Sequence, residues 1–351
     1  MNLFGQVSLS DQVLFTKHLS IMIKAGLSLK ESVETIKDQT SSKKFREILD
    51  DLTNRLDNGE SLGESLAKHP RIFSNLFINM IRLGEESGTL EGNLEHLTLQ
   101  LEKSNDLRKK IKSAMIYPIF ILVAALGLGA ALVFFVLPKL LPLFKSFDIE
   151  LPLPTRILLG ISEAFQNYGI FILIGVVFLS AIIILISRIK AVKKFNARLL
   201  ISLPIIGPIS RNTNLIQFSR TLGTLLKSGV SIITALDITA NTLPNLIYQE
   251  VLKETSIKVQ RGESLENYLH LNPKLFPPTV SRMVAVGEKT GNLEETLLYL
   301  AEFYEKEVDN TTKNLSSILE PILLIFIGIV VGFVAISIIM PIYQITSGIY
   351  L

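Results

Sequence analysis

The chain has 351 residues, of which 48% are hydrophobic, and a mean hydropathy of +0.42, too high for a soluble globular protein. A net charge of +3 is too small and too scattered to indicate direct nucleic-acid binding, and the absence of cysteine excludes disulfides, thiolate metal sites and cysteine catalysis. Charged residues still make up 19%, gathered in long mixed-charge segments that alternate with uncharged ones, so aqueous domains tied to a few membrane spans are expected.

Met1 to Leu9 lacks the basic-then-apolar order of a signal peptide, and the start of the chain is expected to stay in the cytoplasm. Ser10-Asp11 reads as the cap of a first helix, with Leu14, Phe15, Leu19, Met22 and Ile23 on one face and Gly26 at its end. Ser28 opens a second amphipathic segment through Ile36. Phe45, Ile48, Leu49, Leu52 and Leu56 mark a third that closes near Asn58-Gly59. Ser61 with Glu64 resembles a capping box for a short helix closed by Pro70. An apolar helix from Leu76 to Leu83 is expected to break around Gly84 to Gly88, and from Leu90 a helical pattern runs straight into a span. With no convincing strand alternation, residues 10–116 read as an all-α bundle.

Tyr117 to Leu137 carries no charge and is long enough to cross the hydrocarbon core; Lys103, Arg108, Lys109, Lys110 and Lys112 precede it. Tyr168 to Ser187 is a second uncharged run, followed by Arg188, Lys190, Lys193, Lys194 and Arg198, and no acidic residue falls between Glu163 and Asp237. A third run spans Pro321 to Tyr343. The basic flanks place both adjoining segments in the cytoplasm. The expected order is bundle one (10–116), first span (117–138), outside connector (139–167), second span (168–187), bundle two (188–320), third span (321–343) and outside tail (344–351), with the N-terminus inside and the C-terminus outside. The fold class is an all-α membrane protein with two homologous cytoplasmic helical bundles and three transmembrane helices.

The homology is internal. Residues 12–138 overlie 215–341 without a gap. Phe15 meets Phe218, Gly59-Glu60-Ser61-Leu62 recurs as Gly262-Glu263-Ser264-Leu265, and Pro70 and Phe73 fall on Pro273 and Phe276. Gly84-Glu85, Gly88 and Leu90-Glu91 return as Gly287-Glu288, Gly291 and Leu293-Glu294. One unit, a bundle feeding a span, has been used twice in parallel orientation.

In the repeated Gly-Glu-x-x-Gly-x-Leu-Glu element, the plainer account is a glycine-ended helix, a tight turn and an acidic residue in the next helix's first turn. The functional account makes Glu85, Glu91, Glu288 and Glu294 a docking corner, with Glu85 and Glu288 exposed. Nothing nucleophilic is repeated beside these carboxylates, so a paired-carboxylate active site is not indicated. Gly287-Glu288-Lys289-Thr290 lacks the spacing and the preceding strand of a phosphate loop. His18, His69, His96 and His270 stand singly and form no metal-binding motif. No catalytic residue, cofactor or metal is expected. Pro118 and Pro321, at matching positions, are candidate hinges between bundle and membrane. Gly127 and Gly129, and the G-x-x-x-G pair Gly328 and Gly332, are candidate packing positions within spans, the latter for self-association. No charged residue lies inside a span, which argues against an ion or proton pathway.

Lys110-Ile111, Ala114-Met115, Tyr117-Pro118, Ile121, Ala125, Leu132 and Val136-Leu137-Pro138 match the characteristic segment of one family throughout, and the second copy follows more loosely, with Glu320 at the Tyr/Thr position. Over about residues 10–345 the chain resembles the type II secretion F / type IV pilus inner-membrane platform proteins, including the competence pseudopilus member. The resemblance implies a multi-pass protein of the cytoplasmic membrane that is not itself an enzyme. Its expected partners are a hexameric assembly ATPase, pilins or pseudopilins, other inner-membrane assembly proteins, the lipid bilayer and further copies of itself as a homo-oligomer. Many members carry several dozen residues before the first bundle, and the short start here looks more like the competence or Gram-positive branch. The alternative class is a small membrane transporter or channel, which needs polar residues facing a pore; a signalling receptor would need a larger outside domain.

Overall fold

The computed structural model describes residues 7–136, 138–139, 152–187, 189–204 and 206–348; part of the expected connector (140–151) and the end of the expected tail (349–351) lie outside them. Serine caps set the register of the first half. Helix α1 (Leu9–Lys24) starts two residues earlier than a cap at Ser10 implies. Ser8 is its cap: the Asp11 amide donates to Ser8 Oγ at 3.1 Å while the Ser8 amide donates to Asp11 Oδ2 at 2.9 Å, a complete capping box. Ser28, Ser42, Ser61 and Ser74 likewise accept the amide three residues on, opening α2 (Leu29–Gln39), α3 (Lys43–Asp57), α4 (Leu62–Ala67) and α5 (Asn75–Ser87). At Ser61 only the forward bond of the expected box forms, Glu64 N to Ser61 Oγ at 3.1 Å.

Helix α6 runs from Leu90 to Ala131 and passes into a π turn at Leu132–Val136. Next come α7 (Leu153–Ile186) and α8 (Lys190–Ser202). The second copy follows as α9 (Ile206–Lys227), α10 (Ile232–Thr242), α11 (Leu246–Gln260), α12 (Leu265–His270), α13 (Pro278–Thr290) and α14 (Leu293–Gly348). Among the described residues there is no strand.

Contacts divide the chain into two units, one of Met1–Lys110 with Lys194–Thr311 and one of Ile111–Lys193 with Thr312–Leu351. In the first, each copy closes on its own aromatic core. Phe15 lies 5.8 Å from Phe45 and 5.9 Å from Phe73, and all three are fully buried beside Leu19, Leu49 and Leu94. At the matching positions Phe218 lies 5.2 Å from Phe276, which lies 5.3 Å from Tyr248. Tyr248 replaces Phe45 in this overlay, and its buried hydroxyl is satisfied by donating to Leu275 O at 2.8 Å. Burial pushes that phenol above its ordinary range.

The two copies also pack on each other within this unit, α5 against α10. Leu76 and Met80 on α5 are buried, as are Ile238 and Ala240 on α10. The faces that would repeat this contact are more polar: Thr279 replaces Leu76, although Met283 repeats Met80, and Thr35 and Lys37 stand where Ile238 and Ala240 fall. The bundles therefore form a closed pair rather than one step of a head-to-tail array.

In the second unit Val133, Leu158, Leu159 and Val334 form a small core, Phe134 sits 5.0 Å from Phe165, and buried Thr155 donates Oγ1 to Ser337 O at 2.7 Å. Most other large apolar side chains here are exposed, as a lipid-facing surface requires. Leu90–Val136 and Leu293–Tyr343 are long and apolar enough to cross a membrane. So is α7 if its two parts, Leu153–Ile172 and Ile174–Ile186, inclined at 55°, make one span.

The expected boundary at Tyr168 does not coincide with a helix end, because Pro152 and Pro154 start α7 well upstream. Proline at the first helical positions loses no needed donor and presets φ, so what reads as connector is helix. Met340-Pro341 does not end its helix either, since α14 continues to Gly348.

Candidate docking corner and repeat interface

The repeated Gly-Glu-x-x-Gly-x-Leu-Glu element and the repeated Gly-Glu-Ser-Leu element are two halves of one device. Helix α5 does not break at Gly84; it continues to Ser87 and stops at Gly88, whose φ of 69° is left-handed. Gly84 is needed for proximity: a Cβ there would lie 2.8 Å from Leu90 Cα, at the crossing of α5 and α6. At Gly287 it would lie 3.0 Å from Leu293 Cα. One residue on, Glu85 reaches back to α4. Its carboxylate accepts the amides of Leu62 at 2.6 Å and Gly63 at 2.8 Å, while Ser61 takes that of Glu64. Glu288 accepts from Leu265 at 2.8 Å and Glu266 at 3.1 Å, while Ser264 takes that of Asn267 at 3.4 Å. All three leading amides of each short helix are thus satisfied, and a negative charge sits at its positive end.

Glu85 and Glu288 are accordingly half-buried and turned inward, not exposed. Glu91 is exposed and pairs with Lys24 at 3.4 Å, and Glu294 is half-buried in the first turn of α14. Pro118 and Pro321 lie inside the continuous helices α6 and α14, the first buried and the second exposed. A Cβ on Gly129 would meet Val330 Cγ1 at 3.8 Å, whereas Gly127, Gly328 and Gly332 have nothing within 4 Å of theirs. Glycine→alanine substitutions should separate two cases. Gly84→Ala is expected to cost about 1–3 kcal/mol by overpacking, whereas at Gly92, which has open space, the change is neutral or stabilises by up to about 1 kcal/mol; thermal unfolding of the two variants checks this.

A second site had no motif to announce it. Arg220 forms an ion pair with Glu305, and Lys103 of the first copy approaches the same carboxylate at 3.7 Å. Beside them Gln100 donates to Thr221 Oγ1 at 3.2 Å. The gapless overlay puts Lys17 on Arg220 and Glu102 on Glu305, and Lys17 and Glu102 do pair, at 2.9 Å. That first pair is 50% and 35% exposed; the second, covered by α6, is 9% and 17% exposed. Next to it a cavity of about 250 Å³ is lined by His96, Gln100, Lys103, Arg220, Lys227 and others. Burial, and then the Lys227 charge, hold His96 below its usual range. Among the described residues no group of three or more His, Asp or Glu is placed to hold a metal ion.

A family profile described as type II secretion system (T2SS), protein F matches residues 15–138 and again 218–341, the same register as the internal overlay. The chain belongs to this family. Members similar to it over nearly the whole chain include the type IV pilus assembly protein PilC of Thermus thermophilus, 37% identical over 96% of this chain and 83% of the relative. PilC of Pseudomonas aeruginosa is 32% identical over 95% and 89%, and the type II secretion system protein F of Vibrio cholerae is 30% identical over 97% and 84%. Viewed against this protein F membership, the repeated corner and the buried ion pair both fall inside the two matched segments.

Proposed function

We propose that this protein F family member is the integral cytoplasmic-membrane platform of a type IV pilus or type II secretion machine. It couples a cytoplasmic assembly ATPase to polymerisation of pilins or pseudopilins and is not itself an enzyme. The observation that carries the reading is the packing of both bundle copies into one unit. Two segments in mutual contact share one side of a membrane, so the chain between them crosses an even number of times. That pairs α6 with α7 as outward and return crossings and leaves α14 as a third. Their basic flanks make the shared side the cytoplasm, with the N-terminus inside and the C-terminus outside. Relatives bearing the names of pilus assembly and secretion proteins support the machine.

In this reading Glu91 and Glu294 carry the docking surface for the ATPase, while Glu85 and Glu288 shape the corner that presents it. Pro118 and Pro321 each remove one backbone bond from a helix that passes from bundle to span, and so are the points where ATPase motion bends it. The Gly328/Gly332 face pairs with a second copy. Reversing the charge at Glu91 and Glu294 together is expected to reduce co-purification of the ATPase without loss of folded protein; undiminished co-purification discards that surface. Pro118→Ala with Pro321→Ala is expected to leave membrane insertion intact and to alter pilus output; unchanged output removes the hinge.

A further inference from the structure

Helix α8 (Lys190–Ser202) has two unlike sides. One is fixed to the second bundle: buried Ala197 gives its carbonyl to Asn245 Nδ2 at 2.9 Å, and Lys194 pairs with Glu250 at 2.6 Å. At 100° per residue, Phe195 and Leu199 project opposite Ala197 as an i, i+4 pair. They are 67% and 46% exposed, and no element among the described residues covers them. Single exposed apolar residues are ordinary, but this pair is flanked on the same helix by exposed Arg198, while exposed Lys193 lies nearer the Ala197 side.

Two further features select what meets this face. Only three residues separate α8 from the end of α7 at Ile186, and no acidic side chain occurs between Glu163 and Asp237. A short helix with an aromatic-aliphatic face, a cationic flank and a preceding span has the chemistry of an interfacial helix on an anionic bilayer surface. We propose that the Phe195/Leu199 face of α8 lies in the headgroup region of the membrane, with Arg198 against anionic lipid, so that α8 seats the second bundle on the bilayer. This rests on α7 being a span but not on which side of the membrane the bundles occupy.

The sequence contains no tryptophan, so one substitution gives a site-specific probe. The full-length chain carrying Phe195→Trp is placed in nanodiscs of phosphatidylcholine or of phosphatidylcholine with phosphatidylglycerol, each with and without brominated acyl chains. Bromine in the lipid is expected to quench the emission roughly twofold, more strongly with phosphatidylglycerol, and aqueous acrylamide to have little effect. Adding Arg198→Glu should lower the quenching in the anionic discs. Leu199→Trp, on the same face, is expected to repeat the pattern and covers a failure of the first variant to fold. Emission quenched by acrylamide and not by brominated lipid overturns the proposal in favour of a solvated face. Emission quenched by neither overturns it in favour of a protein partner.

Discussion

Arg220→Ala is expected to destabilise the paired bundles by about 3 kcal/mol, whereas Lys17→Ala, the same position in the other copy, should cost no more than about 1 kcal/mol. The two ion pairs occupy duplicate positions and each has a glutamate partner, with Lys17 in one copy and Arg220 in the other, and they differ in what covers them. Arg220 is 9% exposed, and its removal leaves the Glu305 carboxylate buried with Lys103 at 3.7 Å as its remaining cation. Lys17 is 50% exposed, and Glu102 without it returns to water. A solvated pair gains little over its separated partners, while a buried charge that loses its partner keeps the full desolvation cost. Denaturant unfolding of the detergent-solubilised chain and of the two variants measures the contrast. Equal losses would mean that α6 does not cover the second pair in solution.

The next largest effect is expected at the corner carboxylates. Glu85→Ala strands the amides of Leu62 and Gly63 and removes a charge from the positive end of α4, for a loss of about 2–3 kcal/mol. Glu85→Gln keeps one accepting oxygen and should cost about half as much. Glu288→Ala is expected to behave alike through Leu265 and Glu266, and the double variant to lose about the sum, since the two sites share no partner. If Glu85→Ala left thermal stability unchanged while lowering ATPase co-purification, the carboxylate would be a docking group and not a cap.

These two cases divide what the residues disclose from what they withhold. The all-helical class, the duplication and its register follow from apolar spacing and from glycines and prolines that stay in step over the whole overlay. The aromatic core follows too, because Phe15, Phe45 and Phe73 recur as Phe218, Tyr248 and Phe276. The role of Glu85 does not, since its partners lie 23 and 22 residues upstream and meet it only when α4 and α5 pack. Recurrence of both motifs at one separation is the signal in the sequence that links them. The buried ion pair was equally recoverable: the overlay that aligns Phe15 with Phe218 also aligns Lys17 with Arg220. What the overlay withholds is that one copy's pair is covered. The repeat is broken by Leu76, Ile238 and Ala240 where the copies meet. The helix that contains Tyr168 starts upstream of it for a local reason, because Pro152 and Pro154 open a helix as readily as they mark a connector.

The central claim is that both bundles lie on one side of the membrane with a return crossing between them. The chain has no cysteine, so Glu47→Cys, Lys253→Cys and Lys139→Cys each report one position to a membrane-impermeant maleimide. The account predicts that Glu47→Cys and Lys253→Cys are labelled only after the membrane is opened, and that Lys139→Cys is labelled in intact cells lacking an outer barrier. Labelling of Glu47→Cys and Lys253→Cys from opposite faces would contradict it.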